Sequence, residues 1–383
     1  MSTKIFLLVL LLNPFYVLAS LDDIGVGTHL NNYKNSSQYY SGLIKDYGFT
    51  SVRDGFSWNS VQTNPQKMNL TNKILNADVF FSNKNNESNN INSLFVLGYG
   101  SDFYTNGGYP QDREQVDKFV DYVGWVANRY KGKVKYYEIW NEWFLGTGIG
   151  RGKPRPRDDL FLYLIQQSYK KIKEIDPNAI VIAGSINPLH KNEVNWLNGL
   201  IKQGLMNYID GISIHPYAFN EPKKVRDPEG SFTAIDQFEA SLSTLTGKTI
   251  PLYITEMGYP TGSDFTGGVT TIQAAQNVVK YTLLAASRSY IKGLWWYDLI
   301  DDGTDPNNKE HNFGLLYQNE KSKEAADLLK ALLPIIKKKE ITVTTSDNEN
   351  YVVSVKGIGQ ITWIRDHNYS YQLWLMKINK LNN

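Results

Sequence analysis

The strongest constraint on the fold of this 383-residue chain is its rhythm. Eight short apolar runs recur, each followed by a stretch with helical spacing. The runs are Ile24–Leu30, Phe49–Trp58, Ser93–Ser101, Val134–Trp143, Ala179–Asn187, Ile209–Tyr217, Ile250–Tyr259 and Gly293–Ile300. Most are continuously apolar rather than alternating, as strands buried on both faces are. Val116, Phe119, Val120, Val123, Ala127 and Tyr130 follow three-four spacing, and Gly132 closes that helix. Leu160 to Ile175 repeats the pattern before Pro177, as does Ile235 to Leu245 before Gly247. Eight strands alternating with helices over roughly 300 residues predict an α/β fold, a (β/α)₈ TIM barrel. An open doubly wound sheet is the competing arrangement, but no Gly-x-Gly-x-x-Gly turn follows the first run. The connection from Val61 to Asn92 is the weakest unit, being rich in Asn and poor in helical pattern.

The two ends of the chain differ from this repeat. Lys4, the apolar run Ile5–Leu12 and the small or apolar Val17-Leu18-Ala19 have the layout of an export signal over residues 1–19. The run is short for a bilayer span and no second one follows it, so removal after Ala19 is favoured over a retained anchor. The barrel is expected over 20–338. After Lys337-Lys338-Lys339, residues 339–383 predict a small antiparallel β extension packed on the barrel flank. Its strands are expected at Ile341–Thr345, Tyr351–Val355, Gln360–Ile364 and Tyr371–Met376. So short a segment lacks the area for a core of its own. The chain has no Cys, so no disulfide stabilises it outside a cell. Forty basic residues against 38 acidic ones leave no excess charge to hold nucleic acid or an anionic membrane.

Two carboxylates close two of the runs. Glu142 ends Tyr136-Tyr137-Glu138-Ile139-Trp140-Asn141-Glu142 on strand four, and Glu256 lies in Leu252-Tyr253-Ile254-Thr255-Glu256 on strand seven. In a barrel of this kind, functional groups come from the C-terminal ends of strands. A pair of carboxylates held at two strand tips suits glycosidic-bond cleavage, in which one protonates the leaving oxygen and the other attacks or stabilises the sugar cation. Strand alternation puts Glu138, Trp140 and Glu142 on one face and turns Asn141 elsewhere. Glu138 lies deeper and is expected to be a structural ion-pair member.

With Trp140-Asn141-Glu142 on strand four and Thr255-Glu256-x-Gly258 on strand seven, the sequence resembles clan A glycoside hydrolases. Arg53 on strand two, His215-Pro216-Tyr217 after strand six and Trp295-Trp296-Tyr297 on strand eight extend the likeness from Gly25 to about Leu333. Within the clan it looks most like family 39 and related bacterial exopolysaccharide-cleaving glycosidases, although Trp143 stands where that pattern has Pro. The resemblance implies a retaining hydrolase needing no cofactor and no metal. Glu142 would be the acid/base with a raised pKa, and Glu256 the nucleophile. Arg53 would keep Glu256 ionised, and Tyr217 or His215 would donate a hydrogen bond to it. Asn141 would bind the 2-hydroxyl of the sugar, and Trp296 would face the barrel and stack on it. The catalytic partner expected is a poly- or oligosaccharide, met outside the cell or in a periplasm. A carbohydrate-binding barrel without catalysis and a transglycosylase with the same pair are the alternatives.

Two other features have weaker readings. The loop Arg151-Gly-Lys153-Pro-Arg155-Pro-Arg157 follows strand four and suits either an anionic sugar or a solvated rim. Asp301, Asp302, Asp305 and Glu310 crowd the loop after strand eight, where a mixed-charge surface loop is favoured over a Ca²⁺ site. No His-x-His follows strand one and no Glu lies four residues from a His on a helix, so metal-dependent hydrolysis has little support.

Overall fold

A computed structural model describes residues 21–82, 91–346 and 349–382. The proposed export signal lies outside the described residues. Eight parallel strands form the barrel: β1 (Asp23–Gly27), β2 (Ser51–Asp54), β3 (Asn92–Leu97), β4 (Tyr136–Ile139), β5 (Ile180–Ile186), β6 (Gly211–Ile214), β7 (Leu252–Met257) and β8 (Ile291–Trp296). Each pairs with its neighbours in sequence, and β1 pairs with β8 through Val26 and Trp296 to close the ring. The expected strands are all present but shorter than their apolar runs. The excess residues lie in the buried loops that leave the barrel, where apolar character reports burial rather than strand pairing.

Capping follows the sequence signals. The helix Arg113–Arg129 starts at Asp112, whose side chain accepts from the Gln115 N–H. The helix Pro228–Thr246 ends at Gly247, which takes φ +75° as a left-handed cap. The weakly marked second connection holds a short hairpin (Gln62–Asn64 with Lys67–Met68) and a helix, Leu75–Ser82.

The lower half of the barrel is plugged. Trp295 packs with Leu94, Tyr136, Ile182 and Tyr253 inside the ring. Its indole fits because Gly25 stands opposite: a Cβ there would lie 2.2 Å from the ring. Below it, Tyr136 Oη and Lys135 Nζ both reach Asp23 Oδ2, at 2.6 and 2.7 Å. The upper half is left open.

The C-terminal segment is a three-stranded antiparallel sheet, β9 (Ile341–Ser346), β10 (Asn350–Val355) and β11 (Gly359–Ile364). The fourth expected strand, Tyr371–Met376, is instead part of a helix, Tyr371–Asn379. Ser370 caps it by accepting from the Leu373 N–H, and Trp374 and Ile378, four residues apart, form its buried face. The sheet is tied to the barrel helices through Glu229, whose Oε1 accepts from Trp363 Nε1 at 2.6 Å and pairs with Lys280 Nζ at 3.1 Å. Among the described residues no helix is long and apolar enough to cross a membrane.

Candidate active site

A cavity of about 630 Å³ opens at the C-terminal ends of the strands. Arg53, Asn141, Glu142, His215, Tyr217 and Glu256 all line it. Trp296 does not. It is buried against Tyr281 of the helix Thr271–Ala286, with ring centroids 5.6 Å apart. Because Trp295 occupies the barrel interior, alternation turns Trp296 outward to the helices. The expectation that Trp296 stacks on sugar is therefore corrected: the aromatic residue of that run at the cavity is Tyr297.

Arg53 organises the floor. Its Nε donates to Glu138 Oε2 at 2.8 Å, Nη1 to Glu256 Oε1 at 2.6 Å and Nη2 to Asn141 Oδ1 at 2.9 Å. The planar fork thus spans three strands. Glu138 is fully buried, and its Oε1 also accepts from Ser185 Oγ and Thr255 Oγ1, at 2.9 and 2.8 Å. Burial raises its pKa, but the Arg53 charge and His215 outweigh that and hold the carboxyl well below the usual range.

Alternation does not continue past Ile139. Trp140 takes φ +64° and Glu142 φ +47°, both in the left-handed region that bulky residues avoid. The chain swings so that Asn141 and Glu142 both reach the cavity, where the period-two reading had separated them. Trp140 turns away into an aromatic cluster with Tyr109, Phe119 and Trp143. Trp143, the departure from the family 39 pattern, is 1% exposed and belongs to that cluster. Arg53 fixes the Asn141 amide by occupying Oδ1, leaving the Nδ2 protons as its donors.

Glu142 has a partner on each oxygen: His215 Nδ1 lies 3.0 Å from Oε1, and Thr147 Oγ1 donates to Oε2. Thr255 spends its single hydroxyl proton on Glu138, so it accepts from His215 Nε2–H at 2.9 Å. Nε2 therefore carries a proton, and Nδ1 carries the second one whenever Glu142 is ionised. Burial opposes this, yet the Glu256 charge, the nearby Glu138 carboxylate and the bond to Glu142 push the His215 pKa up to about 10. The consequence for Glu142 runs against the sequence reading. Burial raises its pKa, but the His215 bond and charge, with Thr147 and Arg53, hold it below the usual carboxylate range. On Glu256, Tyr217 Oη donates to Oε2 at 3.1 Å, while His215 Nδ1 stays 3.7 Å away. Of the two donors expected for Glu256, the bonded one is Tyr217. One carboxylate oxygen of Glu142 and one of Glu256 lie within 4.8 Å of each other.

Several lining residues escaped the sequence reading. Tyr99, just beyond β3, borders the cavity beside Asn141, and burial pushes its hydroxyl up to about 12. Thr147, Phe219 and Phe313 come from loops without a regular period. The basic loop after strand four does not line the cavity. Arg155 lies over the Phe144 ring at 4.5 Å, and Arg157 pairs with Asp159.

The profile of the cellulase family (glycosyl hydrolase family 5) matches residues 22–298. No curated protein matches the chain. Similar solved structures include a family 39 glycoside hydrolase from the gut symbiont Bacteroides cellulosilyticus WH2, with 22% identity, a TM-score of 0.73, and coverage of 90% of this chain and 71% of that one. A GH5_18 structure from Streptomyces cattleya, in complex with GlcNAc, aligns with 14% identity, a TM-score of 0.65 and coverage of 84% and 81%. Xylanase 10B from Thermotoga maritima gives 16%, 0.57, and 83% and 95%. At these identities the structural likeness concerns the fold.

Proposed function

The chain belongs to the cellulase family, glycosyl hydrolase family 5, and from that premise we propose that Glu142 and Glu256 are its catalytic pair, cleaving a poly- or oligosaccharide outside the cytoplasm. It is a glycosidase of clan A, whose members retain anomeric configuration. Glu256 is the nucleophile. Arg53 and Tyr217 satisfy both its oxygens as an anion, so the charge that must attack the anomeric carbon is already held. Glu142 is the acid/base. Its proton is stored next door, because cationic His215 points Nδ1–H at Oε1 across 3.0 Å. Transfer of that proton leaves a neutral carboxylic acid and a neutral imidazole, and the acid then protonates the departing glycosidic oxygen. After the glycosyl–enzyme ester forms, Glu142, again a carboxylate, takes a proton from the water that breaks it. Asn141 Nδ2 donates to the sugar 2-hydroxyl. Export rests on Lys4, Ile5–Leu12 and Val17–Ala19.

The observation that carries this reading is the spacing, with one oxygen of each carboxyl group inside 4.8 Å. Inverting enzymes keep their carboxyl groups about 6.5–9.5 Å apart to admit a water. A polysaccharide panel identifies the sugar, and the matching 2-deoxy-2-fluoro glycoside should then label Glu256, read by peptide mapping. A label on any other residue overturns the assignment. Glu142→Gln should lower kcat about 10²- to 10⁴-fold while sugar binding persists.

A further inference from the structure

At one side of the cavity, a second group of ionisable residues spans the seam where the barrel closes. His29 follows β1, while Asp298 and Asp302 follow β8, the strand paired with β1. One ligand-type atom from each of the three lies within 4.8 Å of the others. His29 Nδ1 is 2.7 Å from Asp302 Oδ1 and 3.7 Å from Asp298 Oδ2. Asp298 is 1% exposed, and among the described residues neither of its carboxylate oxygens has a hydrogen-bond partner. A carboxylate taken out of water with nothing to bind is among the costliest arrangements in a protein.

Nearby groups do not relieve it. Asp54 adds a further negative charge, and its own oxygens are satisfied by Thr28 Oγ1 and the Leu30 and Gly55 N–H groups. Lys323, the adjacent cation, spends its ammonium on Asp301 at 2.7 Å and Thr261 at 2.9 Å. Three carboxylates therefore face one imidazole, and the most deeply buried of them has no hydrogen-bond partner among the described residues.

We propose that His29, Asp298 and Asp302 hold one divalent cation of the zinc or manganese class at the barrel seam. One imidazole nitrogen and two carboxylates are donors that such ions accept, whereas Ca²⁺ takes six to eight oxygens. Binding displaces the protons held by His29 Nδ1 and by the buried Asp298 carboxyl, which leave to solvent, and the ring keeps its proton on Nε2. Asp298 is the fixed ligand. His29 and Asp302 have side chains 31% and 29% exposed and can spread to the wider spacing of ligands about one ion. An ion there would clip the first strand to the last, independently of the sugar chemistry.

The test uses the full chain, stripped with EDTA, titrated calorimetrically with ZnCl₂ and with MnCl₂ and followed by thermal unfolding. One of these ions should bind saturably at one per chain, raise Tm and release protons. Asp302→Asn, on an exposed side chain that should not disturb folding, should weaken binding at least about tenfold. Asp305→Asn, on the same loop, should leave it unchanged. Glu256→Gln should retain it too, which separates this site from the trio Glu142, His215 and Glu256. Absence of saturable binding by either ion overturns the proposal. So does binding lost in Glu256→Gln and kept in Asp302→Asn.

Discussion

Thr147 is the residue whose role the sequence conceals most completely. It is exposed, sits between Gly146 and Gly148 at φ +79° and +76°, and yet donates to Glu142 Oε2. A donor on the ionised carboxyl favours the ionised form, so it works against the acid role proposed for Glu142. Thr147→Val keeps the shape and removes the proton. The Glu142 pKa should then rise, so transfer of the His215 proton to it becomes easier and kcat should increase. An unchanged kcat would show that the Thr147 hydroxyl does not tune Glu142. The carboxylates themselves were legible because each closes an apolar run at a strand end. Thr147 and Tyr99 were not, because loop residues obey no period. Trp296 was misassigned for a different reason. Which of two adjacent Trp residues turns inward depends on the space that Gly25 leaves across the barrel, and that is a contact between distant parts of the chain.

At the scale of elements, the strand–helix rhythm located all eight barrel strands, since continuous burial leaves a continuous apolar run. It overestimated their lengths because buried loops leave the same mark. The last segment failed in type: Trp374 and Ile378 fit a helical face, and Ser370 is a cap, but the surrounding short strands suggested a fourth. What ties this extension to the barrel is a buried polar junction. Glu229 and Lys280 have side chains 0% and 4% exposed, and Lys280 Nζ also donates to the Arg365 carbonyl. Lys280→Met leaves the Glu229 charge buried with the Trp363 indole N–H as its hydrogen-bond donor among the described residues. It should cost about 3–5 kcal/mol in urea unfolding, as removal of one partner of a buried pair does. Glu229→Gln added to Lys280→Met should recover part of that loss. If the single variant costs no more than an exposed pair would, the junction is ornamental and the sheet is held by Trp363 and its apolar neighbours.

For the whole molecule, the floor of the cavity is also a stability device. Arg53 and His215 are two cations set among Glu138, Glu142 and Glu256, on residues drawn from strands or strand ends around the ring. Removing the His215 proton leaves three carboxylates against one guanidinium in a place where His215 is 1% exposed. The folded pKa of His215, about 10, lies above its ordinary value of 6.5. The stability it contributes is therefore fully present below about pH 6.5 and is lost as pH rises through about 10. Glu138 and Glu142 act with the opposite sign. Held below their ordinary values, they contribute stability above the unfolded carboxylate pKa of about 4.3 and lose it as pH falls further. Thermal unfolding should thus be most resistant between about pH 5 and 6.5, with Tm declining toward pH 10. His215→Gln should lower Tm at pH 6 and flatten the decline between pH 6.5 and 10, because the neutral amide has no proton to lose there. A variant that keeps the full alkaline slope would place its origin in other groups and would remove His215 as the proton store beside Glu142.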